Sequence, residues 1–220
     1  MAACETTLLS RLGTLLWLKS IGSTVAISVF FVLYFYVLNN PVFPVVEMPL
    51  LALDRYAPVV PWSAWIYFSL WIYICIPSSL MVLASELGHY LMGAAILSII
   101  GLSIFFLLPT AVPVWEIDWG EYPRLEFLKK SDAAGNACPS LHVAFSVYAG
   151  LALSRMIAIL EAYRLWSIGN WVWCGLIVLS TITTKQHVFI DVLSGGVLGF
   201  VVYLLNARFA CRAGLIGVRC

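Results

Sequence analysis

Residues 90–108 read YLMGAAILSIIGLSIFFLL, nineteen positions with no charged side chain. As a helix rising 1.5 Å per residue the stretch is about 28 Å long, close to the thickness of a bilayer's hydrocarbon core. Five more windows have comparable length and mostly apolar content: Ile21–Leu38, Trp62–Ala84, Leu141–Leu160, Trp166–Thr184 and Val188–Leu205. With 62% of the 220 residues hydrophobic and 10% charged, no soluble core could hide so much apolar surface. The expected fold class is an all-α integral membrane protein, a six-transmembrane-helix bundle forming a single domain over residues 1–220.

The punctuation between the windows supports that division. Pro41, Pro44, Pro49, Pro58 and Pro61 fill the first connection, where helix would be interrupted, and Trp62, Trp65, Trp115, Trp119 and Trp166 suit interfacial aromatic belts. The N-terminus shows no short apolar run ending in a small-residue cleavage site, so the first segment is expected to stay as a helix. Six crossings place Arg11, Lys19, Arg155, Arg164, Arg208, Arg212 and Arg219 on one side, against Arg55, Arg124, Lys129, Lys130 and Lys185 on the other. Seven basic residues against five predict cytoplasmic termini in a plasma or inner membrane, with the loop around Glu121 outside. That loop, from Pro109 to about Pro139, is long enough to cover a substrate entrance.

Composition also excludes classes of function. A net charge of +1, without clustered Lys and Arg, argues against a nucleic-acid partner. Cys4, Cys75, Cys138, Cys174, Cys211 and Cys220 are scattered without paired metal-ligand spacing, so neither a zinc site nor a disulfide framework is suggested.

Two of the three histidines, His142 and His187, fall at helix starts on the side of the long loop. Pro139-Ser140-Leu141-His142 opens the fourth window, and Lys185-Gln186-His187, followed by Asp191, opens the sixth. Four residues apart, His187 and Asp191 are expected to share a helix face. A carboxylate in a membrane span needs a partner, and one that accepts from one imidazole nitrogen leaves the other available as a nucleophile. Ser140 and the amides from Leu141 onward lie at a helix N-terminus suited to an anion, with Pro139 in the first turn. Lys185 adds a positive charge, and Gln186 lies between it and His187. His89, between the second and third windows, falls on the other side and is assigned no catalytic role.

Cys138-Pro-Ser-Leu-His142-Val-Ala144 and Thr184-Lys-Gln-His187-Val-Phe-Ile-Asp191-Val-Leu-Ser-Gly195 resemble the second and third motifs of the type-2 phosphatidic acid phosphatase superfamily. The resemblance covers about the C-terminal half. It implies that His187 attacks phosphorus, that Asp191 orients it, that His142 protonates the leaving oxygen, and that no metal or other cofactor takes part. Ser140, Leu141, Gln186 and Lys185 then become the expected phosphate-binding residues. The chain departs from the pattern in three places. Leu108–Trp115 lacks the Lys and Arg-Pro of the first motif, Thr181 stands where the third motif has Arg, and Leu141 replaces a commoner glycine. Arg124, Lys129 and Lys130 are further sources of positive charge.

Prolines followed by an aromatic residue after the third window, together with Pro-Ser-Leu-His, look more like the inositol-phosphorylceramide and sphingomyelin synthase branch, which transfers a headgroup to a lipid alcohol. The expected activity is therefore a lipid phosphatase or phosphotransferase acting on a lipid phosphate or phosphodiester among membrane lipids, through a phosphohistidine at the outer face. A small transporter with a polar pathway and a purely structural subunit are the alternatives from other classes. A transporter would place its polar groups near the midplane, whereas these cluster at one end. A structural subunit gives no reason for two histidines, a lysine and an aspartate to converge.

Overall fold

The computed structural model describes residues 8–123, 125, 128 and 135–212, with side chains described to residue 209. Six helices are long and apolar enough to cross a membrane: Leu16–Asn39, Ser63–Leu80, Ala84–Leu107, Leu141–Ile159, Arg164–Thr183 and Phe189–Phe209. They are called the first to sixth spans below. The third starts six residues before the uncharged window because Glu86 and His89, near its end, do not interrupt the helix. The second is segmented at Ser69 and Ile74, and its last segment contains Pro77. Pro77 lacks the N–H for a helical bond, and the Ser69 hydroxyl bonds back to the Ile66 carbonyl at 2.6 Å, both of which loosen a helical ladder.

The fourth span is the central element, packed on the second, third, fifth and sixth. Its contact with the sixth is the closest in the bundle. A Cβ on Gly195 would collide with the Ser140 carbonyl, and one on Gly199 with the Ala144 carbonyl. Glycines spaced four apart on one helix thus admit the backbone of another, the small-residue packing that drives helix association in lipid. Leu141, the departure from the glycine of the motif, fits because Gly101 on the third span faces its methyl groups. Asn170 ties three spans together: it accepts from Tyr73 Oη at 2.6 Å and donates to Gly150 O at 3.0 Å and Ser154 Oγ at 2.9 Å. The first span is peripheral, with no buried residue in its most apolar window.

The connections at one end build a cap. Val46–Glu47 pairs in parallel with Thr110–Ala111, which ties the first connection to the third. Val112, Ala137 and Val188 form a small apolar cluster with Met48, Leu50 and Trp115 packed around it. Arg124, Lys129 and Lys130, named as further phosphate contacts, lie outside the described residues.

Filling the contact between the fourth and sixth spans should be costly. Gly195→Leu is expected to lower stability by about 1–3 kcal/mol, as overpacking does, and to abolish turnover. Gly175→Leu, where a new Cβ meets nothing within 4 Å, should change neither. Thermal unfolding and activity in detergent check both variants.

Candidate active site

Ser140 caps the fourth span. Its Oγ accepts from Val143 N at 3.3 Å, and its own N–H donates to the Asp191 carbonyl at 3.0 Å. Pro139 therefore precedes the cap and lies outside the first turn, where the sequence had suggested it; the Cys138–Pro139 peptide is cis. The amides of Leu141 and His142 follow at positions with no carbonyl partner inside a helix.

The fifth span ends in a turn that presents His187. Gln186 N bonds Thr181 O at 3.1 Å and Lys185 N bonds Ile182 O at 3.0 Å, while Lys185 takes the left-handed conformation at φ 57°. This is a Schellman stop with lysine where glycine is usual. Thr181, standing at the motif's arginine position, is fully buried, and its carbonyl also accepts from His187 N at 3.1 Å.

His187 lies two residues before the sixth span, so it does not share a helix face with Asp191 as expected. The two meet because the turn folds back. Asp191 Oδ2 accepts from Val188 N at 3.0 Å, the reach of a third-position acid to the start of its helix, and lies 3.5 Å from His187 Nδ1. Asp191 is completely buried and His187 nearly so.

Across the gap, the rings of His142 and His187 are 5.8 Å apart between centroids. His142 stacks on Tyr67 at 4.3 Å, and its Nδ1 is 3.1 Å from the Tyr67 hydroxyl. It also borders a cavity of about 200 Å³ lined by aromatic side chains of the first and second spans, among them Phe30, Phe31, Tyr34 and Trp71. Leu128 of the long loop lines the same cavity.

Four buried side-chain atoms in this region lack a hydrogen-bond partner: Trp115 Nε1, Gln186 Nε2, His187 Nδ1 and Asp191 Oδ1. Buried polar atoms are almost always paired, so such a concentration marks a site that receives something. Among the described residues no three His, Cys, Asp or Glu side chains group as metal ligands.

Sequence reading missed Asp54. It is 1% exposed, and both its oxygens accept main-chain N–H groups, Oδ1 from Phe189 at 2.7 Å and Oδ2 from Leu51 at 2.8 Å. It thereby caps the sixth span from the first connection, where a carboxylate also suits the helix dipole. Lys185 has a task beyond the one expected of it. Its Nζ donates to Asp54 O at 2.9 Å and Ala57 O at 2.8 Å and lies 4.2 Å from the centroid of the Trp115 ring. Burial lowers the pKa of this ammonium, and the Asp54 carboxylate opposes the shift. In the sequence Asp54 is one acid within a proline-rich connection, with nothing local to set it apart.

A family model for the PAP2 superfamily matches residues 38–205, a segment that contains both histidines, Asp191 and Asp54. The chain belongs to the PAP2 superfamily. Membership places it in a family of phosphatase- and phosphotransferase-type enzymes, and its six long apolar helices fit a multi-pass membrane protein. No curated protein and no solved structure matches the chain.

Asp54→Ala would leave the Phe189 and Leu51 amides without their acceptor and remove the charge beside Lys185. Buried groups stranded in this way cost about 1–3 kcal/mol each. The variant should unfold at lower temperature and turn over at least about tenfold more slowly. Unchanged thermal melting and turnover would make Asp54 a bystander.

Proposed function

We propose that this PAP2 superfamily member transfers the phosphoryl group or phosphorylated headgroup of a membrane lipid through a covalent intermediate on His187, without a metal ion. The observation that carries this reading is the convergence of His187, Asp191 and His142 beside buried, unpartnered polar atoms at one end of the bundle.

Asp191 Oδ2 faces His187 Nδ1 at 3.5 Å, and a small closure of that gap as substrate binds lets it accept the Nδ1 proton and leave Nε2 as the nucleophile. As Nε2 bonds to phosphorus, the bond from phosphorus to the leaving oxygen breaks, and that oxygen takes a proton from His142 Nε2 while Tyr67 holds Nδ1 in place. Water or a lipid alcohol, deprotonated by His142, then attacks phosphorus and releases His187 unchanged. Phosphate oxygens are met by Gln186 Nε2 and by the amides of Leu141 and His142, behind the Ser140 cap. Lys185 contributes its positive charge from the turn it anchors. The aromatic cavity next to His142 is apolar and lies within the bundle, which suits the chain of a lipid better than a soluble phosphate ester.

The same burial favours a second reading for the acceptor. With His187 6% exposed, a lipid alcohol reaching the site through the cavity takes the place of bulk water as acceptor in this second reading, as in headgroup phosphotransferases. In either case the site is proposed to face outward, with both chain termini in the cytoplasm.

Incubating the purified chain with a panel of lipid phosphates and phosphodiesters, with and without a lipid alcohol, tests the proposal. Free phosphate or a new phospholipid should form and persist in excess chelator. Loss of turnover in chelator, restored by magnesium or zinc, would contradict the reading. His142→Ala should lose activity by several orders of magnitude on an alkyl ester and far less on an aryl ester, whose leaving oxygen needs little protonation. Equal losses on the two esters would remove His142 from the role of acid.

A further inference from the structure

The opposite end of the bundle holds a second cleft, mostly apolar but with several polar groups, formed by the start of the third span and the ends of the fourth and sixth. Along the fourth span it lies about 20 Å from His142, the helical rise from there to Arg155. Glu86, His89, Arg155, Tyr203 and Asn206 supply its polar groups, and its volume is about 50 Å³. That is room for a few waters or one small headgroup, and too little for an acyl chain.

Three buried polar atoms in this cleft have no partner in the protein. Asn206 is 7% exposed, and its Nδ2 donates to His89 O at 3.1 Å and to Tyr148 Oη at 3.2 Å, which fixes the orientation of the amide. Its Oδ1 is buried without a donor, and so are both ring nitrogens of His89. The His89 ring is held flat against Phe209, 6.5 Å between centroids and 11° from parallel. Neither Glu86 nor Arg155 makes a hydrogen bond or ion pair among the described residues, though Arg155 lies close enough to act electrostatically on His89 and Tyr203. The cleft thus combines one cation, one anion, an amide oxygen that needs a donor and an imidazole that can both donate and accept.

We propose that this cleft binds the headgroup of a phospholipid that carries a primary ammonium group. Its phosphate is taken by Arg155 and a His89 N–H, and its ammonium by Glu86 and Asn206 Oδ1. A primary ammonium has three N–H donors for those acceptors. A quaternary ammonium has none, so it leaves Asn206 Oδ1 unpaired, and a polyol headgroup brings donors without the positive charge that Glu86 calls for. The site is separate from the histidine end and does not depend on the chemistry assigned there.

Native mass spectrometry of the full chain in detergent, with phosphatidylethanolamine, phosphatidylcholine and phosphatidylglycerol of matched acyl chains, tests this. Phosphatidylethanolamine should be retained about tenfold more strongly than phosphatidylcholine, the increment of a charge-assisted hydrogen bond. Glu86→Gln should bring that preference close to parity without changing phosphatidylglycerol binding. Arg155→Gln should weaken all three lipids, and His187→Ala should leave the pattern intact. Equal retention of the three lipids by the unmodified chain would overturn the proposal and leave the cleft to water. So would a phosphatidylethanolamine preference that survives both Glu86→Gln and Arg155→Gln in folded protein.

Discussion

The backbone contact between the fourth and sixth spans governs the rest of the site. In a bilayer, apolar side chains gain little by leaving lipid for one another, so helices are held by close packing and interhelical hydrogen bonds. Gly195 and Gly199 let the sixth span reach the Ser140 and Ala144 carbonyls, and the Ser140 amide bonds the Asp191 carbonyl in the same contact. Ser140 is also the N-cap of the fourth span, and Asp191, in the first turn of the sixth, accepts from the Val188 amide at the start of that helix. The interaction that joins the helices therefore sets the separation of His142 and His187, and the geometry of the proposed site follows from the packing.

A second constraint acts on the turn before the sixth span. A left-handed conformation costs a residue with a side chain about 1–2 kcal/mol, yet Lys185 adopts it where glycine would do so freely. Its side chain explains the choice. The ammonium reaches the carbonyls of Asp54 and Ala57, while the Asp54 carboxylate crosses back to the Phe189 amide. The first connection and the turn thus hold each other, and His187 and Asp191 are fixed between them. The strain at Lys185 is offset by interactions that a glycine could not make.

Much of this was legible in the sequence because lipid imposes a length and a composition on any helix that crosses it. The six apolar windows needed no tertiary information, and the pairing of His187 with Asp191 followed from the cost of a buried carboxylate. What escaped depended on distant contacts. Asp54 is 133 positions from His187 along the chain, and no local pattern sets a loop acid apart from a helix cap supplied from afar. The placement of His187 in a turn was hidden for a related reason: four-residue spacing suggests one helix face, and only the lysine-centred stop at Thr184–Gln186 moves the helix start to Phe189. The spacing of Gly195 and Gly199 was visible, but its meaning required knowing which helix lay opposite.

The central claim is that His187 carries the phosphoryl group during turnover. Rapid quenching of the purified chain with a phosphorus-labelled lipid donor, followed by mass spectrometric location of acid-labile phosphate, tests it directly. The account predicts phosphate on His187, formed at a rate that supports turnover and absent from His187→Ala, which should be inactive. Phosphate on another residue, or normal turnover in folded His187→Ala, would contradict it.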